Sequence, residues 1–479
     1  MNREAVAMRT GRGNMKFFSL ICLMAGFTAS MSFAKDITVG ASGSDFTTIQ
    51  QAVVEAPLGA HERTIIHIKP GTYQGPLIIP QGKAITLSGE NAATTIITYD
   101  KNVFQPAPKG SDQFNPSVQI KGNNFRAENV TFQNAAGDHG QALALKDDGD
   151  RSVYQNCRIL GWQDTLMVNN GRHYFKDCYI EGRVDFIYGS GVAVFDKCEI
   201  HSKNGGFVTA ANTPQDKPFG FVFLNCKLTG DAIPWNPATT NPSTTDKPGS
   251  SSKGADLGRP WRPYASVAFI HCAIGDHISP QGWNDWGNKE NHNTARFVEF
   301  GNTGPGANTA KRVPWAKQLT KTEADAITLE SVLKGTDNWD PTSNADQAPA
   351  VTAGPMVAET ADILGDNARL EDGNNIGFWT NTDTKIEWRT LVQPGTFKVE
   401  LTYALDGAQG GGEIEVAIGK EKIRFTPSAT KGWSDYKTTA VGTVKIKDAG
   451  SISVILTALS KKGGFILNVS KIELVRAKD

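Results

Sequence analysis

Hydrophobic positions in this chain recur in short clusters, not in long helical stripes. From Thr64 to Ile97 they read TIIHI, PLIIP, AITLSG and TTIITY, separated by Gly, Pro and Asn. β-Branched runs punctuated by turn residues predict short strands. One unit then repeats: YQNCRI, FKDCYI, FDKCEI, FLNCKL and FIHCAI share the form apolar-x-polar-Cys-x-apolar. Val130 in AENVTF holds the cysteine slot one coil earlier, and successive slots lie 27, 21, 20, 28 and 46 residues apart. A recurring period of this size predicts stacked coils, with insertions looping out where the spacing grows. The longest gap contains Asp231–Asp256, rich in Pro, Ser, Thr and Lys, which reads as a long surface loop.

The best-matched copies are VYQNCRILGWQDTLMV and YFKDCYIEGRVDFIYG. Between them, Cys157 and Cys178 are 21 residues apart, and so are Asp164 and Asp185. Equivalent positions on successive coils of a parallel β-solenoid sit about 4.8 Å apart. The spacing therefore sets two aspartates side by side on one face.

Elsewhere the pattern changes twice. Before the coils, Thr47–Glu55 carries Ile49, Ala52 and Val53 at helical spacing, a helix suited to capping an open solenoid end. After them, an irregular region carries Trp315 and a helix near Thr322–Leu333, and the solenoid closes by Pro341. Residues 342–354, TSNADQAPAVTAG, have linker composition. From Pro355 to Asp479, KIEWRTL, TFKVELTYA, EIEVAIG and SISVILTAL alternate between Gly/Pro turns, as in an antiparallel sandwich. The fold class expected is all-β: a solenoid over 35–341, then a jelly-roll-like β-sandwich over 355–479.

The 479 residues exceed one ordinary core, which agrees with two domains. Lys+Arg and Asp+Glu are equal at 49 each, so no global field steers the chain to nucleic acid or an anionic membrane. Met15-Lys16, an interrupted apolar stretch and Ser32-Phe33-Ala34 read as a secretory signal over 1–34, with 1–14 as possible extra residues. No later run is long enough for a membrane span, so a secreted protein, periplasmic or extracellular, is expected. Without Cys22 five cysteines remain, 157, 178, 198, 226 and 272, all in one slot of the repeat. They form either a stack of free thiols or a ladder with a disulfide in it.

Two carboxylates about 6 Å apart repel by roughly 3 kcal/mol at an effective dielectric near 20. That separates their pKa values by about 2 units and leaves one ionised beside one protonated. Such a pair supplies a nucleophile and an acid/base; an Asp ladder capping turns on a solvated face is the competing reading. Gln141 and Gln163 flank the pair and suit an oxyanion hole or an amide ladder. Arg259 in LGRPWRPY could hold one aspartate ionised through a bidentate pair, or pack on Trp261. Trp261, Tyr188, Trp162, Trp283 and Trp286 could stack sugar rings or fill the core. His173, His271 and His277 lack metal spacing. There is no G-x-S-x-G elbow, H-E-x-x-H, C-x-x-C or P-loop.

DFTTIQQAV, GQALAL, GWQDTL, GRVDFIYG, and LGRPW followed by SPQGW resemble, in order, the signature segments of the pectin methylesterases, or pectinesterases. The resemblance runs from about Ile37 to Pro341. It implies a right-handed parallel β-helix that hydrolyses the methyl ester of galacturonate units in pectin. It also implies Asp185 as nucleophile, Asp164 as acid then base, and Gln163 with Gln141 at the oxyanion. Arg259 would pair with Asp185; Trp261, Tyr188 and Val184 would line the sugar groove. Tyr188, Ser190 and Met167 stand where the family usually has Phe, Asn and Tyr. A Cys178–Cys198 disulfide matches one in some bacterial members. No cofactor or metal is implied for the esterase. The partner implied is pectin, with no nucleic acid, no membrane span, and a monomer expected. The C-terminal segments GFWTN, KIEW and KGWSDY resemble galactose-binding-like modules, in which Trp379, Trp388 and Trp433 could be platform or core. Such modules often carry structural calcium, for which the sequence places no site. A β-helix polygalacturonase, a pectate lyase, or a non-catalytic pectin-binding solenoid remain the alternatives.

Overall fold

A computed structural model describes residues 36–57, 63–108, 112–231 and 254–343, and residues 356–477 apart from 359–360, 366, 372–374, 393 and 448–449. The expected signal segment 1–34, most of the linker 342–354 and most of the loop 231–256 lie outside the described residues.

Among the described residues, three parallel sheets of eleven, eight and seven strands wind around one apolar interior. Each coil contributes one strand to each sheet, as Arg172–Lys176, Tyr179–Gly182 and Ile187–Gly189 do. A single backbone device makes the corner before each slot residue. Asn129, Asn156, Asp177, Lys197, Asn225 and His271 all adopt left-handed φ between 51° and 56°. Asn and Asp tolerate that conformation best, which explains the polar residue before each cysteine. The residue that follows then turns inward and is buried in every coil.

Two ladders fill the interior. Tyr154, Phe175, Phe195, Phe223 and Phe269 stack nearly face to face, with successive centroids 4.6, 4.8, 4.5 and 4.3 Å apart. Beside them the five cysteines stack as free thiols. The Cys178–Cys198 disulfide expected from the resemblance is not formed. Instead the Sγ of Cys178, Cys198, Cys226 and Cys272 each donates to the carbonyl of the aromatic residue one coil before it, Cys178 to Tyr154 at 3.5 Å and Cys198 to Phe175 at 3.4 Å, while Cys157 donates to Gln155 in its own coil. Burial pushes the Cys178 and Cys198 thiols well above their ordinary pKa, which favours the protonated, unreactive form.

The N-terminal helix spans Ile49–Glu55, is capped by Thr48, and buries Ile49, Ala52 and Val53, the face its periodicity predicts. Near the solenoid's last strand, Lys321–Asp325 and Leu329–Leu333 form two short helices, each opened by a capping box. The strands from Met356 onward are antiparallel and form a six-stranded and a five-stranded sheet among the described residues. Trp379 and Trp388 lie in the core between them, each 1 % exposed, so neither is a sugar platform.

Candidate active site

The seven-stranded sheet carries the site on its outer face. Leu166 pairs with Ile187 and Met167 with Tyr188, so the turns before these two strands are stacked in register. Asp164 and Asp185 occupy equivalent positions in those turns, and both adopt left-handed φ, 59° and 51°. The backbone N–H of Asp164 donates to the Val184 carbonyl at 3.0 Å, which ties one rung to the next. One coil earlier, Gln141 forms a parallel bridge with Gln163. Stacking at intervals of 21 residues for the aspartates and 22 for the glutamines thus brings two carboxyls and two amides to one place.

Arg259 follows the strand Ala255–Gly258, and its N–H bonds to the Thr209 carbonyl at 2.9 Å. Gly258 makes that approach possible, since a Cβ there would lie 1.9 Å from Thr209 Oγ1. The Arg259 side chain reaches back one coil further and grips Asp185 with two parallel bonds. Nε donates to Oδ1 at 2.8 Å and a terminal nitrogen to Oδ2 at 2.7 Å. The guanidinium is held between two aromatic faces, 3.9 Å from the Phe207 centroid and 3.7 Å from that of Trp286. This is a charge-assisted fork in a water-poor setting, since Asp185 is only 6 % exposed.

Asp164 differs from its neighbour. Burial, and then the charge on Asp185, push its carboxyl well above the ordinary range, and Arg259 only partly opposes them. One acid is therefore pushed toward its neutral form where the other is paired to a cation. Behind the fork, burial pushes Asp256 up to about 6, although the Ser279 hydroxyl donates to it.

A cavity of about 210 Å³ opens over these groups, lined by Gln141, Gln163, Asp164, Asp185, Tyr188, Ala210, Arg259, Trp261 and Trp286. Tyr188 and Trp261 meet edge to face at 5.9 Å and form an aromatic wall. Next to that wall, Lys146 is buried between Asp112, at 2.5 Å, and Asp148, at 3.3 Å, and so fastens the Asp112 segment to the sheet.

Of the residues singled out from sequence, the structure gathers Asp164, Asp185, Gln141, Gln163, Arg259, Trp261 and Tyr188 around this cavity. Val184 is not on its lining: its side chain is buried and its carbonyl serves the rung-to-rung bond instead. Trp283 is a core residue packed on Phe297, and Trp162 lies under Lys203. His173 is buried inside the coil, with its ring nitrogens against the Asp147 carboxylate at 3.2 Å and the Asn169 carbonyl at 3.0 Å. Sequence reading missed Phe207 and Ala210. Both lie in the strand Gly206–Ala211, one coil beyond Tyr188, and counting forward from Tyr188 would have found them. No group of three or more His, Cys, Asp or Glu among the described residues is arranged to hold a metal ion.

A family model described as Pectinesterase matches residues 36–336, and one described as a domain of unknown function (DUF5077) matches residues 365–479. Pectinesterase 31 of Arabidopsis thaliana is 37% identical over 305 residues, covering 61% of this chain and 90% of its own. Putative pectinesterase 11 of the same plant is 36% identical, covering 63% of this chain and 80% of its own. Among solved structures, pectin methylesterase from carrot superposes with a TM-score of 0.56 at 33% identity, over 64% of this chain and 95% of its own. Pectin methylesterase PemA from Erwinia chrysanthemi gives 0.54 at 27% identity, over 65% of this chain and 99% of its own.

Proposed function

The chain belongs to the pectinesterase family, a family of carboxylic ester hydrolases, and from that premise we propose that it cleaves methyl esters of galacturonate in pectin through Asp185 and Asp164. The observation that carries the reading is the asymmetry of the stacked pair: Asp185 is gripped by Arg259 while Asp164 is pushed toward its neutral form.

The steps follow from that asymmetry. An Asp185 oxygen attacks the ester carbonyl carbon, and the carbonyl oxygen becomes an oxyanion. Gln141 and Gln163 supply amide N–H donors to that charge, which is worth most in a water-poor cavity. The neutral Asp164 gives its proton to the departing methoxy oxygen, so methanol leaves and Asp185 is left acylated as an anhydride. Asp164, now a carboxylate, takes a proton from water. The water oxygen attacks the anhydride carbonyl, and collapse returns Asp185 to its carboxylate and frees the galacturonate. Arg259 holds Asp185 ionised and aimed throughout. Trp261 and Tyr188 offer faces and edges for sugar rings on either side of the scissile ester.

The experiment is methanol release from methylated polygalacturonate by wild type and Asp185→Ala, with reducing ends and ultraviolet-absorbing unsaturated product measured in parallel. The reading expects methanol alone, and its loss in the variant. Reducing ends would mark a glycosidase, unsaturated product a lyase, and pectin retention without turnover a binding solenoid.

A further inference from the structure

The C-terminal sandwich has an aromatic patch that its core does not use. In GFWTN, Trp379 enters the core while its neighbour Phe378 faces outward and is 46% exposed. The turn between them is made by Phe378 itself, at φ 51°. Left-handed backbone is unfavourable for a bulky residue, and Asn or Gly would fit it with less strain. An exposed ring at that position adds nothing to the packing of the interior.

Its surroundings suggest what the ring is for. Phe378 meets Phe465 edge to face at 6.2 Å, and Phe465 meets Trp433 at 5.6 Å. The Arg369 guanidinium lies 3.8 Å over the Phe378 ring. Arg369 is exposed and has no carboxylate partner among the described residues. Lys461 reaches the same turn and donates to the Thr380 carbonyl at 2.8 Å. Flat apolar faces accept the C–H faces of sugar rings, and a stacked guanidinium keeps its N–H edge for a carboxylate. Rings together with two cations that have no carboxylate partner among the described residues match a sugar that carries an acid.

We propose that Phe378, Phe465, Trp433, Arg369 and Lys461 form a binding site for polyuronate, the de-esterified galacturonate chain. The choice of uronate over a neutral glycan rests on the pectinesterase reading of the solenoid, together with these two cations. The site would hold the enzyme on chains whose methyl groups have been removed.

The test is native electrophoresis of the full chain in gels containing polygalacturonate, neutral galactan or no polymer. Variants are Phe378→Asn, Arg369→Ala, the pair together, and Trp261→Ala in the catalytic cavity. Phe378→Asn should melt at or above the wild-type temperature, because Asn relieves the left-handed strain. Polygalacturonate should retard the wild type, and the double variant should bind roughly tenfold more weakly. Its methanol release from short methylated oligomers should stay within about twofold of wild type. Wild-type retardation of the double variant would overturn the proposal. So would equal retardation by galactan, or retardation abolished by Trp261→Ala alone. Methanol release is read separately, so failure of the esterase reading leaves the retention result standing on its own.

Discussion

Replacing Arg259 with Lys keeps the charge but removes the fork. In the structure two charge-assisted bonds of 2.8 and 2.7 Å join Arg259 to Asp185, and two aromatic rings flank the guanidinium. A lysine ammonium can satisfy one carboxylate oxygen, so one such bond, worth about 1.5–3 kcal/mol, is lost. Flat stacking between Phe207 and Trp286 is lost as well, at about 0.5–2 kcal/mol. If roughly 3 kcal/mol of this falls on the transition state, kcat/KM drops by about two orders of magnitude. The loss should fall on kcat more than on KM, because the fork orients a reacting group and touches no distant part of the substrate. The acid-side fall of the pH profile, set by ionisation of the nucleophile, should move to higher pH. Initial rates of methanol release across pH 4–9, with variant folding checked by circular dichroism, supply the measurement. A variant within threefold of wild type, with an unmoved acid limb, refutes the idea that planar pairing keeps Asp185 ready.

Asp164→Asn should lose turnover yet become increasingly more stable than the wild type as pH rises. Burial and the Asp185 charge raise the folded-state pKa of Asp164 above its ordinary 3.8, so the native state binds the extra proton. The wild type therefore loses stability as pH climbs from about 4 toward that raised value, and the Asn variant does not. Thermal melts from pH 4 to 8 should show the gap opening upward; a constant gap contradicts the assignment. For the same reason, wild-type activity should fall on the alkaline side as Asp164 loses its proton. Trp286→Leu should cut kcat/KM roughly three- to thirtyfold by removing one face of the guanidinium clamp. Trp283→Leu, in the core, should instead lower the melting temperature, so melts and rates together separate the two. Finally, alkylation of unfolded protein without reductant should label Cys157, Cys178, Cys198, Cys226 and Cys272 alike. A protected Cys178 and Cys198 would restore the disulfide.

Much of the site was legible because a solenoid converts sequence period into spatial adjacency. Asp164 and Asp185 share a spacing with their cysteines, so their stacking follows from counting. The corner residues were legible as polar positions before each cysteine, although not their left-handed backbone. Arg259 was harder: the long insertion ahead of it breaks the period, and it is placed by the pairing of Thr209 with Gly258. Phe207 is invisible as a clamp until the coils are laid over one another. Val184 misled because it adjoins the nucleophile in sequence while its side chain is buried. The disulfide misled because stacked cysteines are close in any reading, whereas their thiols are satisfied by carbonyls one coil away. In the sandwich, alternation placed the strands and Trp388 within one of them, but the inward course of Trp379 follows the left-handed turn at Phe378, which the sequence pattern does not show.

The most direct test is methanol release from methylated polygalacturonate by Asp185→Asn, with the fold verified. Asn keeps the shape and one acceptor but cannot form the acylated intermediate, so the account predicts a loss of at least about 10⁴-fold. Turnover within tenfold of wild type would contradict nucleophilic attack by Asp185.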